Sequence, residues 1–431
     1  MFLKPYIYAA ENNLSKSCLI ENCSEENCLK ESEYQIDMKS FEAFPPLCIG
    51  SLTVPRPIIQ GGMGVGISLS SLAGAVAKEG GVGVISAAHP GFLEPDFDQD
   101  PRGANLRGLA KHIHRAKEIA GIQTAASVTS PNAGTCGSAA PSAPVPPESR
   151  PEAASASSRR GLIGVNIMYA MEGYEDFVRC AAQNGADLII SGAGLPADLP
   201  ALVEGTKAMI APIVSPPKAA RVLLKRWDKH YNRTADLVVI EGPKAGGHLG
   251  YSPEEIKAHE ATGYDREILE IFGIVKEYEE KYQRHIPVVF GGGVFTHEDI
   301  LHYLSLGCSG VQIASRFVAT AECDADQRYK NAYLAAKKKD IVIVKSPVGM
   351  PGRALNNGFV QRTKLRQEPI RHCWNCLRTC DRKTIPYCIT QALINAAKGD
   401  LDNALIFCGD EVGRIHEMTT VPELMRELCG E

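Results

Sequence analysis

The fold of this chain is decided by residues 286–315, which read IPVVFGGGVFTHEDILHYLSLGCSGVQIAS. A short β-branched run, Ile286–Phe290, comes first and is followed by three glycines. Apolar residues then recur at helical spacing over His297–Leu306, and a second apolar run, Val311–Ala314, follows a glycine. Strand, helix and strand in about 30 residues form the repeating unit of a parallel sheet. The stretch therefore predicts two neighbouring parallel strands joined by a helix.

The same alternation recurs upstream, where short apolar runs rich in β-branched residues are separated by helix patterns. Together with the two runs above they give eight strand candidates: Pro57–Gln60, Val82–Ala87, Gly161–Asn166, Asp187–Ser191, Met209–Val214, Leu237–Glu241, Ile286–Phe290 and Val311–Ala314. Helix patterns lie between them at Ser71–Glu79, Asn105–Ala120, Glu175–Asn184, Lys218–His230, Asp265–Lys281 and His297–Leu306. This order predicts an α/β fold in which helices cover a parallel sheet.

One stretch, Thr124–Arg160, breaks the alternation, and 25 of its 37 residues are Ala, Ser, Pro or Gly. Because such a composition buries little apolar surface, we predict a disordered, low-complexity insertion at 124–160. Without it, 257 residues of 57–350 remain, which is the size of a closed barrel of eight βα units. We therefore predict a (β/α)8 TIM barrel over 51–350, with an open doubly wound sheet as the alternative. Residues 1–50 are predicted to be an N-terminal extension, and 351–431 a cysteine-rich C-terminal segment.

Composition and charge exclude several classes of protein. The net charge of −4 argues against a nucleic acid as partner, and no apolar run reaches the ~18 residues of a membrane helix. The N-terminus does not read as a secretory signal. Fourteen cysteines in 431 residues are few for a disulfide framework, so we expect reduced thiols in a cytoplasmic protein. The expected partner is a small-molecule substrate, and the formation of a homo-oligomer stays open.

Glycines and polar side chains are concentrated at the predicted strand ends, where the active sites of such barrels lie. Gly62 and Met63 follow strand one, where the backbone can approach a flat ligand, and Asn166 ends strand three, where its amide can read a heteroaromatic ring. Gly293 follows strand seven and Ser315 follows strand eight, the usual phosphate site of this architecture. Tight turns and close packing are the plainer alternatives. The combination predicts a phosphorylated planar cofactor, for which we infer FMN.

The segment after strand six, Glu241–His248, reads EGPKAGGH. Its histidine lies seven residues past the strand end, on a glycine-rich loop at the presumed mouth of the barrel. Imidazole exchanges a proton near neutral pH and can stabilise an anion, so we predict a catalytic role for His248. A structural histidine is the alternative.

Four segments resemble one known family in the order in which they occur. IQGGMG at 59–64, GVNIM at 164–168, AGGH at 245–248 and QIAS at 312–315 are similar to motifs of the nitronate monooxygenase family, formerly called 2-nitropropane dioxygenases. Flavin-containing enoyl-acyl-carrier-protein reductases are close relatives of that family. The resemblance runs from about Pro57 to Arg353, apart from the insertion, and implies a barrel with non-covalent FMN.

The resemblance also implies roles for individual residues. The catalytic histidine of the family falls on His248, and its FMN contacts fall on Gly62, Met63, Asn166, Gly246, Gly293, Gln312, Ile313, Ala314 and Ser315. Glu241 stands where many members carry Gln, as in the reductase branch, and we count it among the cofactor-binding residues. Lys244 replaces the acidic residue that is usual in the histidine motif.

The activity implied by the resemblance is FMN-dependent oxidation of an alkyl nitronate by O₂, with His248 as base or anion stabiliser. Two alternatives stay open. One is an NAD(P)H-dependent FMN reductase that acts on an enoyl thioester, and the other is a non-catalytic flavin-binding or regulatory subunit.

Four cysteines of the C-terminal segment lie within 16 residues of each other: Cys373, Cys376, Cys380 and Cys388. Thiolates at such spacing can bind Zn²⁺ or an iron–sulfur cluster, but this spacing matches no standard zinc finger. We therefore predict no metal site and a reduced, partly buried cysteine-rich lobe, with a bound metal as the alternative.

Overall fold

The computed structural model of the chain describes residues 44–122 and 160–431. The predicted insertion and nearly all of the predicted N-terminal extension therefore lie outside the described residues. The described strands are β1 (Leu47–Ile49), β2 (Leu52–Val54), β3 (Ile58–Gln60), β4 (Val82–Ser86), β5 (Leu162–Met168), β6 (Leu188–Gly192), β7 (Met209–Val214), β8 (Val238–Glu241), β9 (Gly247–His248), β10 (Val288–Gly291), β11 (Gly310–Ile313), β12 (Ile341–Lys345) and β13 (Pro351–Leu355).

Eight of these strands, β3 to β8 with β10 and β11, form a closed parallel barrel. Each strand pairs with the next barrel strand along the chain, and β11 pairs with β3 through Val311 and Ile58 to close the ring. The predicted (β/α)8 barrel is confirmed and the open doubly wound sheet is wrong. Strand β5 continues two residues beyond its predicted end at Asn166, because Ile167 and Met168 also pair with β6.

The amino end of the barrel is filled by apolar side chains. The antiparallel hairpin β1–β2 places Leu47, Ile49 and Val54 against side chains from the barrel strands, among them Val82 and Leu188, and all five are fully buried. These buried side chains close the amino end of the barrel. The hairpin turn falls at the predicted boundary between 50 and 51, and the division of the chain into three segments stays a prediction.

Helices cover the outside of the barrel and continue into the C-terminal segment. They are α1 (Ser70–Lys78), α2 (Pro101–Ala120), α3 (Tyr174–Gln183), α4 (Leu199–Leu202), α5 (Pro217–Tyr231), α6 (Pro253–Thr262), α7 (Asp265–Tyr282), α8 (His297–Ser305), α9 (Ser315–Val318), α10 (Gln327–Ala335), α11 (Gly358–Leu365), α12 (Ile389–Ala397) and α13 (Val421–Cys429). None of these described helices is long and apolar enough to cross a membrane.

The predicted start of α2 at Asn105 is four residues too late. The side chain of Asp100 accepts a hydrogen bond from the backbone N–H of Gly103, and Pro101 takes the first helical position. An acidic cap followed by proline is a strong helix start, which the apolar periodicity alone does not show.

The C-terminal segment packs onto the carboxyl end of the barrel rather than standing apart from it. All described residues fall within one compact unit. Strand β13 pairs antiparallel with β12 on one side and with the two-residue strand β9 on the other. Residues far apart in the chain, Gly352 and His248, are direct partners in this small sheet. The segment thereby becomes part of the wall around the barrel mouth.

Candidate active site

A cavity of about 230 Å³ lies at the carboxyl ends of the barrel strands. Every barrel strand contributes a residue at or next to its end: Gly61, Ser86, Met168, Gly192, Ile213, Glu241, Gly291 and Gln312. All eleven predicted site residues line this cavity, namely Gly62, Met63, Asn166, Glu241, Gly246, His248, Gly293, Gln312, Ile313, Ala314 and Ser315. The structure thus brings the predicted residues together, and their individual roles stay predictions.

One part of the cavity wall is formed by backbone with little side chain above it. A β-carbon on Gly62 would lie 2.4 Å from the β-carbon of Asn166, so any larger residue would displace the Asn166 amide. Met63 and Asn166 are only half-buried, because each has a face on the cavity. The result is a surface that a flat ring can approach closely, with one amide group beside it.

The wall after β10 and β11 combines backbone amides with a hydroxyl and an ammonium group. Gly293 has a φ of +89°, and a β-carbon there would lie 2.9 Å from Cδ of Lys244. The Ser315 hydroxyl accepts a hydrogen bond of 2.9 Å from the backbone N–H of Gly409. Lys244 is more than half exposed, and its Nζ lies 3.5 Å from a carboxylate oxygen of Glu411. Groups of this kind suit a phosphate.

One polar atom in the wall has an unmet hydrogen bond. The side-chain oxygen of Gln312 is buried and finds no donor among the residues that the structure describes. Leaving such an acceptor unpaired costs about 1–3 kcal/mol, so it calls for an explanation. A ligand that brings an N–H group to this wall would remove the cost.

His248 lies on strand β9, not on a loop as predicted. The pairing of β9 with Gly352 and Arg353 of β13 fixes the backbone of the histidine. Its Nε2 shares a hydrogen bond of 2.7 Å with Oγ of Ser346. The ring also packs edge-on against Phe407, with ring centroids 4.9 Å apart. The imidazole is therefore held in one orientation at the cavity wall.

Burial lowers the pKa of His248 from 6.5 to about 4, because the protein offers an imidazolium little solvation. The ring is consequently neutral at pH 7. A neutral imidazole has one nitrogen that donates and one that accepts, and Ser346 engages Nε2. The other nitrogen, Nδ1, has no hydrogen-bond partner within the described ranges 44–122 and 160–431, which leaves it available to a ligand.

Burial shifts the pKa of Glu241 in the opposite direction and also favours the uncharged form. It raises the pKa of this carboxyl from 4.5 to about 8, so the group keeps its proton at neutral pH. A protonated carboxyl has an O–H donor, as a glutamine has an N–H donor. Glu241 can therefore make the same kind of donor contact as a glutamine.

The loop between Glu241 and His248 is held by an arginine from the C-terminal segment. Arg353 on β13 is buried, and its guanidinium donates to the backbone carbonyls of Pro243 and Ala245. Its Nε also lies 3.7 Å from a carboxylate oxygen of Asp410. Several bonds from one planar guanidinium give this loop a fixed shape.

Sequence reasoning missed a second set of cavity residues, which lie between positions 329 and 411 of the chain. They are Tyr329, Tyr333, Met350, Leu393, Phe407, Cys408, Gly409, Asp410 and Glu411. The hydroxyl groups of Tyr329 and Tyr333 both donate to the Phe407 carbonyl, which ties α10 to this wall. Gly409 was the one local signal in the sequence, and a single glycine is too common to be informative.

The four clustered cysteines of the C-terminal segment are free thiols and are partly buried. Burial raises the pKa of Cys376 to about 11, and it also raises the pKa of Cys380 and Cys388. Within 44–122 and 160–431, no group of three or more His, Cys, Asp or Glu side chains could hold a metal ion. Burial thus favours the neutral thiol form of Cys376, Cys380 and Cys388, and the absence of a bound metal stays a prediction.

A comparison with known families decides the classification. The sequence model of nitronate monooxygenases matches residues 46–431, which is most of the chain. The chain belongs to the nitronate monooxygenase family. The matched range of this nitronate monooxygenase family member includes the C-terminal segment that packs against the cavity.

Curated relatives match shorter stretches. A probable nitronate monooxygenase of Staphylococcus saprophyticus is 31% identical over 127 residues, 30% of this chain and 34% of that protein. This chain covers about a third to about a half of the length of the curated relatives that it matches.

Solved structures show the same fold over nearly the whole chain. FabK from Thermotoga maritima aligns with a TM-score of 0.58 at 20% identity, covering 87% of this chain and 92% of FabK. A nitroalkane oxidase from Streptomyces ansochromogenes aligns with a TM-score of 0.59 at 17% identity, covering 87% of this chain and 95% of the oxidase. At these identities the two structures support the fold of this nitronate monooxygenase family member and no more.

Proposed function

We propose that this chain is an FMN-dependent enzyme that oxidises an alkyl nitronate with O₂. One observation carries the proposal: a single cavity joins a neutral, fixed His248 to the unpaired side-chain oxygen of Gln312. The imidazole of His248 can exchange a proton with a substrate. The side-chain oxygen of Gln312 is a buried acceptor with no hydrogen-bond donor among the described residues. Membership of the nitronate monooxygenase family supports the same reaction.

The residues present fit FMN. Its ring system carries one N–H donor and two carbonyl acceptors, which Gln312, Asn166 and a protonated Glu241 would hold. Its ring needs a flat surface, which the backbone beside Gly62 provides, and its phosphate needs the amides and hydroxyl around Gly293, Gly246 and Ser315. The unmet hydrogen bond of Gln312 would be satisfied by such a ring. We therefore assign the cavity wall at the carboxyl ends of β10, β11, β3, β4 and β5 to a single ligand, FMN.

When bound, FMN supplies the electron acceptor and the reaction with O₂, which are properties of the cofactor. The chain supplies the placement of the substrate and its proton. With a neutral nitroalkane, the free nitrogen of His248 accepts the proton from the carbon next to the nitro group. With a nitronate, this proton is already gone, and the same ring needs only to donate a hydrogen bond to one nitronate oxygen.

A pKa near 4 makes His248 a weak base in the empty cavity. A nitronate beside the ring would raise that pKa, because the anion stabilises the imidazolium. The ring therefore takes up a proton more readily once charge develops on the substrate. Lys244 adds one positive charge to the same cavity, although Glu411 partly balances it.

The proposed role of His248 predicts different effects on two substrates. In a His248→Ala protein that retains FMN, we expect kcat/KM for neutral nitroalkanes to fall about 10²–10⁴-fold, because general-base catalysis is lost. The fall for preformed nitronates is expected to be about tenfold, the value of one hydrogen bond. Steady-state kinetics with both forms of 1-nitropropane measure the two losses.

The exposed His114 on α2 provides the matched control, since it is not among the residues that line the cavity. His114→Ala is expected to leave both activities and the FMN content unchanged. Full turnover of nitroalkane and nitronate by an FMN-loaded His248→Ala protein would contradict the role proposed for the ring.

A second candidate is an NAD(P)H-dependent FMN reductase acting on an enoyl thioester. Glu241 favours it, because a carboxyl at this position resembles the reductase branch. This enzyme would be reduced by NADH or NADPH and reoxidised by an enoyl thioester. A third candidate is a non-catalytic flavin-binding subunit, in which neither nitronate nor nicotinamide reduces the bound cofactor.

We also propose a cytoplasmic location, which the free thiols of the described residues support.

A further inference from the structure

A second, smaller cavity of about 30 Å³ adjoins the main one. The two cavities share Ala88, Met168, His248 and Leu393 in their walls. His248 therefore lines both cavities. A substrate held by this ring has the smaller cavity within reach.

The walls of the smaller cavity are apolar. Val65, Met171, Val348 and Ile389 line it together with the shared residues. Two of its lining residues, His89 and Thr390, carry polar groups, but these bond to each other at 2.8 Å. The second nitrogen of His89 lies 3.0 Å from the Asn105 amide and is occupied as well.

The remaining polar group in these walls is the thiol of Cys376, whose pKa is raised to about 11 by burial. It is thus uncharged at neutral pH and behaves as a small apolar group. Apart from His248, the described walls offer a ligand no polar partner. A hydrocarbon fits such a space, whereas a hydroxyl or carboxylate placed there would lose its hydration without replacement.

We propose that the smaller cavity binds the alkyl tail of the substrate and selects straight tails of two or three carbon atoms. The inference deepens the proposed function and rests on it, since it names which alkyl nitronates the enzyme takes. The size follows from the volume: about 10–15 Å³ of such space holds one water-sized group, so 30 Å³ holds two or three. The nitronates of 1-nitropropane and 1-nitrobutane have tails of this length.

Binding of unreactive ligands tests the cavity without any turnover. Straight-chain carboxylates carry a planar anionic group with two oxygens, as nitronates do, and differ in tail length alone. The carboxylate carbon takes the place of the nitronate nitrogen, so butanoate and pentanoate match the nitronates of 1-nitropropane and 1-nitrobutane. With the FMN-loaded protein we expect calorimetric affinity to rise about fourfold per carbon up to butanoate or pentanoate, because each methylene leaves water. Affinity should then fall from hexanoate to octanoate. 3-Hydroxypropanoate, which replaces the terminal methyl of butanoate by a hydroxyl, should bind at least tenfold more weakly than butanoate.

Two isoleucines of helix α12 give a matched pair of variants. Ile389 and Ile394 are both 5% exposed, but Ile389 lines the smaller cavity and Ile394 lines neither cavity. Ile389→Ala should move the optimum to tails about two carbons longer, and Ile389→Val should move it less while preserving the fold. Ile394→Ala should leave the optimum where it is.

The outcomes separate this inference from the function on which it rests. An optimum at two or three tail carbons that shifts in Ile389→Ala alone supports the cavity assignment. The same optimum in a protein that turns over no nitronate would retain the cavity and contradict the proposed function. An affinity that rises steadily to octanoate, or an equal shift in Ile394→Ala, would overturn the assignment.

Discussion

Two side chains of the main cavity, His248 and Glu241, are uncharged at neutral pH for the same reason. Protein surrounds both, so the charged form of each loses its hydration, and the pKa of the histidine falls while that of the carboxyl rises. Groups whose environments move their pKa values in this way are typical of functional sites. The neutral forms also explain how the cavity can present a base and a hydrogen-bond donor side by side.

The proton on Glu241 predicts a pH dependence of FMN binding. If the protonated carboxyl donates to the ring, affinity for FMN should be constant near pH 6–7 and fall about tenfold per pH unit above pH 8, as the proton is lost. Glu241→Gln keeps a donor that does not titrate, so its affinity should be flat across this range. Fluorescence titration of FMN between pH 6 and pH 9.5 measures both proteins.

The same shift has a consequence for the cofactor-free protein. The folded-state pKa of Glu241 lies above its unfolded value, so its contribution to stability is present below about pH 4.5 and is lost as the pH rises towards 8. Urea unfolding should therefore show Glu241→Gln gaining stability relative to the natural chain between pH 5 and pH 8. Identical pH profiles for the two proteins, in FMN affinity and in stability, would contradict a protonated Glu241.

Some residues of the main cavity can be predicted from the sequence, whereas the residue that orients His248 cannot. Gly62, Asn166, Gln312 and the others at strand ends could be predicted because a parallel barrel directs all its carboxyl ends to one place. Ser346, which orients His248, could not, because it comes 98 positions later in the chain and no local pattern marks it. Long-range hydrogen bonds of this kind become visible once the fold is known.

Helix α12 forms part of both cavities, and its first turn is anchored by a buried histidine. His89 is 8% exposed and bonds to Thr390 of α12 and to Asn105 of α2, so it joins two helices. Burial lowers the pKa of His89 from 6.5 to about 4. Since the folded value lies below the unfolded one, the stability from this neutral ring is present above pH 6.5 and is lost as the pH falls towards 4.

This anchor predicts an acid-sensitive fold. Between pH 7 and pH 5 the neutral ring of His89 should account for a loss of about 2 kcal/mol in the free energy of unfolding, because the unfolded chain binds a proton that the folded chain excludes. His89→Asn, which tolerates the left-handed backbone found here, should be less stable at pH 7 but should lose about 2 kcal/mol less on acidification. Urea unfolding at the two pH values measures the difference.

His114 serves again as the control, because it is an exposed histidine on α2. His114→Asn should follow the pH dependence of the natural chain. An unchanged loss of stability on acidification in His89→Asn would show that His89 is not the group that takes up the proton.

The elements of the barrel could be predicted because their strands are short, β-branched and regularly spaced, with helices between them. Strand β9 could not, since two residues, Gly247 and His248, carry no periodicity. Its existence depends on β13, a strand from the C-terminal segment that the sequence presented as a separate lobe. The short helices α4 and α9 were missed for a similar reason, because four residues are fewer than the pattern needs.

The molecule as a whole closes one end of its barrel and has its main cavity at the other. The β1–β2 hairpin fills the amino end with apolar side chains, and the C-terminal segment surrounds the carboxyl end without filling it. Arg353, Phe407 and Gly409 connect that segment to the loop of His248 and to Ser315. The cavity is therefore a joint product of the barrel and the C-terminal segment.

The sequence predicted one side of the main cavity but not the other. Its barrel side follows from the strand ends, whereas its other side, from Tyr329 to Glu411, depends on how the C-terminal segment folds back. In the function proposed above, the choice of substrate depends on that second side, because Ile389 and Leu393 line the smaller cavity beside His248. The motifs in the sequence therefore point to the strand-end side of the cavity and not to the residues of the smaller cavity.

The most direct test of the proposed function is anaerobic reduction of the purified, FMN-loaded protein. The absorbance of bound FMN is followed after addition of the nitronate of 1-nitropropane, of NADH or of NADPH, each at the same concentration. We predict rapid bleaching by the nitronate and little by either nicotinamide, with colour restored by O₂. Bleaching by NADH or NADPH but not by the nitronate, followed by reoxidation with an enoyl thioester, would contradict the proposed nitronate oxidation. That result would support the enoyl-thioester reductase instead.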